Sequence, residues 1–269
     1  DNKHNVNDNK FSKHKFDQYP FFPQHIKNYD NSKKSAIVVG WKSLLKVSKK
    51  NKNWDVCING KSDNDCLAQI SKLVTAAEQD IYMLHFNDVD FAGHTTGFEP
   101  NNPKYIQAIE EVDRKIGELM KTLKSRPQYS KENWLILSST DHGGTGMHHS
   151  GNSIQERKVW WIASASFLPK LEINANDPGS YFYTELTPDS TIINSYPSIV
   201  DIAVTAIHHM LPSADETKFK AWGLDGKSWL NFNPKEKNEL HLNVSSLPNE
   251  AKFSNNSGSI NMVLKELKK

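Results

Sequence analysis

The stretch that decides the fold is residues 81–94, IYMLHFNDVDFAGH. Its first six residues form a short apolar run, which predicts a buried strand. Asp88, Asp90, Gly93 and His94 follow this run directly. In open α/β sheets, functional groups gather just past the carboxyl ends of the strands. The stretch therefore predicts a sheet strand that ends in a group of functional side chains.

The same alternation of strands and helices continues on both sides of this stretch. Helical spacing is clearest at residues 104–124, where apolar residues recur in steps of three and four. Further segments are predicted as strands at residues 35–40, 133–138 and 158–163, and as helices at residues 66–78 and 198–211. This order indicates an α/β fold with a mostly parallel central sheet. Residues 1–34 read as irregular structure, residues 1–231 as one domain, and residues 232–269 as a polar tail or extension.

A second group of polar side chains follows the predicted strand at residues 133–138, in the sequence STDHGGTGMHH. Carboxylates and imidazoles are the usual oxygen and nitrogen ligands of zinc-like cations. Glycines let the chain turn tightly enough for several side chains to converge on one ion. The two strand ends together offer five candidate ligands, which are Asp90, His94, Asp141, His142 and His149. Two metals about 4 Å apart could share them, as in enzymes of phosphoryl transfer.

Simpler interpretations exist for each of these residues taken singly. An Asp–His pair in a loop is ordinarily a hydrogen-bonded turn, but two such pairs, each directly after a predicted strand, are harder to explain in this way. His148 is expected to point away from the site and Asp88 to support its loop. His208 and His209, on a predicted helix, are expected to pack or to lie at the surface. Nothing marks His4, His14 and His25, near the start of the chain, as ligands.

Composition excludes several classes of function. The 33 basic and 31 acidic residues leave a net charge of +2, too balanced to imply a nucleic-acid-binding surface or binding to an anionic membrane. No apolar run approaches the roughly 20 residues of a transmembrane segment. The chain starts with Asp1 rather than Met, so we expect a processed or truncated product.

The cysteines and two glycosylation sequons suggest a compartment. Cys57 and Cys66 are close enough in sequence for a small disulfide loop in a secreted protein, although two reduced thiols are the alternative. The sequons begin at Asn243 and Asn255, and each alone is weak support. We therefore expect a secreted glycoprotein in an extracellular or secretory/lumenal compartment.

At the two polar groups the sequence resembles the alkaline phosphatase superfamily, and specifically its type I phosphodiesterases and nucleotide pyrophosphatases. The segment DVDFAGH is similar to that family's Asp-x-x-Gly-His metal motif, and STDHGGTGMHHSG resembles its Asp-His-Gly motif with a following histidine. The later segments SIVDIAVTAIHHML and WGLDGKSW, and KHNVNDNKF near the start, resemble further parts of the family. The resemblance implies an alkaline-phosphatase-like sheet with helices on both faces.

The resemblance also implies roles for the candidate ligands. Asp90, His94 and His149 look like the ligands of one metal, and Asp141 and His142 like ligands of a second, with zinc as the expected metal. The family also needs an Asp at the end of its first strand and a Thr or Ser nucleophile. Both belong upstream of KHNVNDN, where this chain has only Asp1 and Asn2. We expect a separate N-terminal fragment of the same protein to supply them, because an interior sheet edge left uncovered would expose unpaired backbone.

The implied activity is hydrolysis of phosphodiester or pyrophosphate bonds in a small phosphorylated substrate. In the family's reaction, the nucleophile attacks phosphorus in line, and water then hydrolyses the covalent intermediate. Within the superfamily, the alternatives are a phosphomonoesterase, a phosphomutase or a sulfatase. The alternative from another class is a non-catalytic structural or binding relative that has lost its nucleophile, since inference from fold to function is only associational.

Overall fold

The computed structural model describes residues 3–6, 8–50, 53–151, 153–170, 172–173, 196–230, 242–243 and 263–267. In chain order the strands are β1 Ser35–Val39, β2 Val56–Asn59, β3 Ile81–His85, β4 Glu132–Ser139, β5 Trp161–Ser164, β6 Glu172–Ile173, β7 Leu242–Asn243 and β8 Val263–Leu267. The helices are α1 Phe22–Tyr29, α2 Lys42–Lys50, α3 Asp63–Ala76, α4 Asp88–Thr96, α5 Pro103–Lys124, α6 Ile154–Arg157, α7 Ile199–Met210 and α8 Glu216–Ala221. A turn of 3₁₀ helix covers Tyr129–Lys131.

The central sheet has six strands in the order β2-β1-β3-β8-β4-β5. Strands β2, β1 and β3 are parallel, whereas β8 is antiparallel to both β3 and β4. Strand β4 therefore runs in the same direction as β3. The sheet is thus mostly parallel, as predicted, with β8 inside it and β5 antiparallel at its edge.

Helices cover both faces of this sheet, because alternate residues of each strand point to opposite faces. On β1, Ile37 and Val39 face a core formed with α1, α2 and α7, whereas Ala36 and Val38 face a core formed with α3 and α5. All five residues of β1 are buried. The predicted α/β fold is confirmed. In each core, the apolar faces of amphipathic helices pack against the strands of the sheet.

Three elements differ from the sequence prediction. Residues 1–34 contain a helix, α1, because Pro23 falls in its first turn, where a missing N–H costs nothing. Residues 56–59, for which no strand was predicted, form strand β2 and pair with β1. Strand β8 comes from the segment assigned to a polar tail, and it lies in the sheet interior where an uncovered edge was expected. The domain division at residue 231 stays a prediction.

The expected disulfide between Cys57 and Cys66 is not formed, and both residues are free thiols. Cys57 lies on β2 and packs against the core of α1, α2 and α7. Cys66 lies on α3, in the core on the other face of the sheet. The sheet itself separates the two side chains. Burial raises the pKa of Cys66 to about 12, which keeps its thiol protonated and unreactive.

Within the described residues, no helix combines the length and the apolar character that a membrane crossing requires.

Candidate metal centre

The site lies at the carboxyl ends of β3 and β4. Helix α4 begins at Asp88, three residues after β3 ends, and carries Asp90 and His94 four residues apart on one face. Asp141, His142 and His149 lie in the loop that follows β4. Because β3 and β4 run in the same direction, their carboxyl ends meet at one edge of the sheet.

The carboxylate of Asp90 is the centre of this arrangement. Its Oδ1 atom lies 3.4 Å from Nε2 of His149 and 3.6 Å from Nε2 of His94. Nε2 of His142 lies 4.0 Å from the same oxygen. Within the described chain, ligand atoms of Asp90, His94 and His149 all lie within 4.8 Å of one another. The structure therefore brings together, around one oxygen, side chains from the two sequence motifs.

Two of the histidines, His94 and His142, are fixed by backbone carbonyls. Nδ1 of His94 lies 2.9 Å from the carbonyl oxygen of Met147, and Nδ1 of His142 lies 2.8 Å from that of Gly143. A carbonyl only accepts, so each neutral imidazole carries its proton on Nδ1 and has a lone pair on Nε2. An imidazole held in this way is the ordinary form of a metal ligand.

His149 is oriented by the neighbouring rings. Its ring stacks on that of His142, with centroids 3.8 Å apart, and lies 4.8 Å from the ring of His94. Burial, followed by the nearby His142, lowers the pKa of His149 below its ordinary value of 6.5. His149 is therefore neutral near pH 7, which is the protonation state that metal binding needs.

His148 lies outside this cluster. Its backbone pairs with that of Thr145 in a short bridge, and its side chain is exposed. His208 and His209 also lie elsewhere: His208 contacts Ser228, and Nε2 of His209 donates to the carbonyl of Asn133 in the core. These histidines pack or remain exposed, as the sequence indicated.

Asp141 and His142 form the second part of the arrangement. Oδ2 of Asp141 lies 3.7 Å from Nε2 of His142, and its Oδ1 accepts a bond from the backbone N–H of His142. The pair is linked to the first three residues through the 4.0 Å approach of His142 to Asp90. It adds a second carboxylate beside the first.

A cation fits this set of groups. Oδ1 of Asp90 is buried and has no hydrogen-bond donor among the described residues, and Nε2 of His149 and Nε2 of His94 lie 3.4 Å and 3.6 Å away. A buried carboxylate oxygen without a donor is unfavourable by itself. A divalent cation would satisfy the carboxylate and the imidazoles together, and one carboxylate with imidazoles is a donor set typical of zinc.

Two further residues lie next to the site, and neither could be predicted from the sequence. Both carboxylate oxygens of buried Asp63 accept backbone N–H bonds, of 2.8 Å from Asn87 and 3.0 Å from Asp88, and so hold the start of α4. His85, at the end of β3, is buried with its ring 6.1 Å from that of Trp41. Burial lowers the pKa of His85, and the nearby Asp141 and Asp90 oppose that change. No local sequence pattern marks such contacts.

Comparisons with known proteins agree with this geometry. The sequence matches the family described as "Type I phosphodiesterase / nucleotide pyrophosphatase" over residues 4–264. A human protein, "GPI ethanolamine phosphate transferase 2, catalytic subunit", is 26% identical over 110 residues. That match covers 40% of this chain and 11% of the human protein, so the chain corresponds to a small part of that relative. No solved structure matches the chain.

Proposed function

The chain belongs to the type I phosphodiesterase / nucleotide pyrophosphatase family of the alkaline phosphatase superfamily, and on this premise we propose that it is a metal-dependent hydrolase of phosphodiester or pyrophosphate bonds. The observation that carries the proposal is the convergence of three imidazole Nε2 atoms on the buried Oδ1 of Asp90. Family membership supports the class of bond, and the side chains support dependence on a metal.

The proposed centre holds two divalent cations. Asp90, His94 and His149 bind the first, and Asp141 and His142 contribute to the second. Zinc is the proposed metal, because imidazole nitrogen and carboxylate oxygen are its common ligands. The approach of His142 to Asp90 supports two adjacent sites rather than two separate ones.

In this mechanism, the chain's own residues orient the reacting groups. The carbonyls of Met147 and Gly143 fix the imidazoles of His94 and His142, and Asp63 fixes the helix that carries Asp90. The bound cations supply Lewis-acid activation and neutralise charge on the phosphoryl oxygens. The small phosphorylated substrate would therefore lie at the open carboxyl edge of the sheet, beside Asp90 and Asp141.

The nucleophile is proposed to come from an upstream segment of the same protein, which also brings a further Asp. Four of the hydroxyl groups near the site support this, because they donate to backbone carbonyls, whereas Oγ of Ser150 lies 3.5 Å from Nδ1 of His149. Thr95 and Thr96 donate to Phe91 and Ala92 within α4. Ser139 donates to the carbonyls of Thr140 and Trp160, and Thr140 donates to that of His142. None of these four hydroxyls is placed to attack a substrate.

A transferase is the second candidate. The human relative's name states a transfer of ethanolamine phosphate, and the matched 110 residues are 26% identical. The same metal centre would serve either reaction, since the two differ only in whether water or an alcohol accepts the phosphoryl group. Assays with and without an added alcohol acceptor distinguish them.

A secretory or extracellular compartment is proposed with this activity, because members of the family are often secreted or lumenal. Of the two sequons, Asn243 lies on β7, whereas Asn255 lies outside the described residues. Glycan mass on a peptide containing Asn243, from the protein isolated from its source, tests this assignment. A peptide that carries no glycan contradicts it at this site.

The test of the proposed function is a hydrolysis assay on the protein as its source makes it, including any upstream segment. A bis(p-nitrophenyl) phosphate diester and a p-nitrophenyl phosphate monoester are compared, before and after removal of metal with a chelator. We expect diester turnover that the chelator abolishes and added zinc restores. The matched variants are Asp90→Asn, which should be inactive, and His148→Ala, which should retain activity. Zinc binding without turnover of any ester would refute the catalytic proposal and favour a non-catalytic binding protein.

A further inference from the structure

The ring of Phe98 lies between helix α4 and the loop after β4, the two segments that carry the candidate ligands of the first metal site. Helix α4 ends at Thr96, and Gly97 turns the chain at a φ of 105°, a left-handed value that glycine adopts without strain. The next residue, Phe98, is 7% exposed. Its backbone N–H donates to the carbonyl of Gly146, at 2.8 Å, and so joins the end of α4 to the loop after β4.

The ring fills the space that two glycines leave open. A methyl group on Gly93, which precedes His94, would overlap the ring of Phe98. A methyl group on Gly144, in the loop after β4, would overlap the same ring. Neither glycine has a backbone conformation that itself disfavours alanine. The ring, and not the backbone, is what requires glycine at both positions.

The same ring contacts two of the three candidate ligands. The ring centroid of Phe98 lies 5.5 Å from that of His94 and 6.2 Å from that of His149, with interplanar angles of 81° and 87°. Edge-to-face contacts of this kind are directional. On its other side, Phe98 packs edge-on against Tyr105 of α5, with centroids 5.5 Å apart. Tyr105 is buried, so the ring of Phe98 has a fixed support.

We propose that Phe98 is a positioning residue of the first metal site, one that sets the separation and the tilt of the His94 and His149 imidazoles and thereby the affinity for the cation. The inference rests on the proposed function, since it assumes that Asp90, His94 and His149 bind metal. Phe98 contacts neither substrate nor metal in this role. It acts by holding helix α4 and the loop after β4 at one distance, with Gly93 and Gly144 packed against its ring.

The first test is a calorimetric titration of the metal-free protein with Zn²⁺. Phe98→Leu should weaken binding about 10- to 100-fold, the usual effect of a residue that orients metal ligands. The matched control is Phe16→Leu, because Phe16 is also 7% exposed but belongs to the core on the other face of the sheet. The control should lose a similar amount of thermal stability and keep its zinc affinity. Equal zinc affinity in Phe98→Leu and the wild type would overturn the inference.

A second test separates positioning from general loss of packing. Gly144→Ala should weaken zinc binding, because its methyl group displaces the ring. In a Phe98→Ala background, the additional effect of Gly144→Ala should be several-fold smaller, since the ring it would strike is gone. An undiminished effect of Gly144→Ala would show that the ring is not the constraint.

The two proposals fail in different ways. If the wild-type protein binds no zinc, the metal centre and this role of Phe98 fall together. If the wild type binds zinc and both Phe98 variants bind it with the same affinity, only the proposed role of Phe98 is refuted.

With Co²⁺ as the probe, we expect Phe98→Leu to change the visible absorption spectrum of the bound ion, and Phe16→Leu to leave it unchanged.

Discussion

Oδ1 of Asp90, on the helix after β3, lies 3.4 Å from Nε2 of His149, in the loop after β4. Two segments that are far apart in the sequence thus meet at one oxygen atom. The contact is too long for a hydrogen bond, and it joins a carboxylate to a neutral imidazole. This spacing is the one expected under the proposal that a cation lies between the two groups.

The first prediction separates His149 from its neighbour. His149→Ala should weaken zinc binding at the first site by about 100-fold or more, because one of three ligand side chains is lost. His148→Ala is the control, since that side chain is exposed and is not among the residues grouped around Asp90. Calorimetric titration measures both. The reverse order of effects would mean that the ligand assignment is wrong.

The second prediction concerns Asp90 without metal. In Asp90→Asn, an amide N–H can donate to the Nε2 lone pair of His94, which a carboxylate cannot do. The metal-free variant should therefore be more stable than the wild type, by about 1 kcal/mol for one added hydrogen bond.

Thermal unfolding with and without zinc checks this. Without metal, the melting temperature of Asp90→Asn should be higher than that of the wild type. Added zinc should not raise the melting temperature of the variant further. Asp113→Asn, on the exposed face of α5, is the control and should behave like the wild type. A lower melting temperature for metal-free Asp90→Asn would contradict the expectation that the Asp90 carboxylate and the Nε2 lone pair of His94 face each other unfavourably.

The third prediction concerns Asp63, which caps the start of α4 from a different helix. Asp63→Ala would leave the N–H groups of Asn87 and Asp88 without their acceptor. The free energy of unfolding should fall by about 2–4 kcal/mol, because buried unsatisfied donors are costly. Zinc affinity should fall too, since α4 carries two ligands.

Asp65→Ala is the matched control for Asp63→Ala. Asp65 lies in the same first turn of α3 but at the surface, where it accepts from Lys61. Its loss should change the free energy of unfolding by about 0.5 kcal/mol. Urea denaturation measures both variants, and equal effects would remove Asp63 from the support of the site.

The fourth prediction follows from buried histidines distant from the site. Burial lowers the pKa of His25, His208 and His209 below 6.5. Between the folded and the unfolded pKa, the unfolded chain binds protons that the folded chain does not, so stability increases with pH there. Metal-free protein should keep its full stability above about pH 6.5 and lose it progressively as the pH falls below that value.

Urea denaturation at a series of pH values between about 8 and 5 tests this, since the pKa of histidine in an unfolded chain lies inside that range. In His209→Gln, the amide can still donate to the carbonyl of Asn133 but cannot titrate, so the pH dependence should be shallower. A free energy of unfolding that stays constant across the range would contradict the prediction.

Much of the fold follows from periodicity in the sequence. Strands β1, β3 and β4 and helices α3, α5 and α7 were predicted close to their observed bounds, because burial imposes a regular pattern on them. The direction of β5 and the insertion of β8 could not be read in this way. Pairing between distant segments leaves no local pattern, and β8 itself was too polar to stand out.

The candidate site shows the same division. Asp90, His94 and His149 could be proposed from the sequence because strand ends and glycines mark their positions, and the structure places them together. Asp63, His85 and Phe98 could not, because their roles depend on contacts between separate elements. The disulfide between Cys57 and Cys66 was predicted wrongly for the opposite reason. The two residues are close in sequence, but the sheet lies between their side chains.

The interior position of β8 has a consequence for the order in which this protein is made. Val263 pairs with Tyr82 of β3 and with Ile136 of β4, both of which leave the ribosome long before it. Until then, β3 and β4 lack the strand that joins them, and closing so long a loop is slow. We expect the sheet to be completed only after synthesis has reached residue 267, which leaves the nascent chain dependent on chaperones during translation.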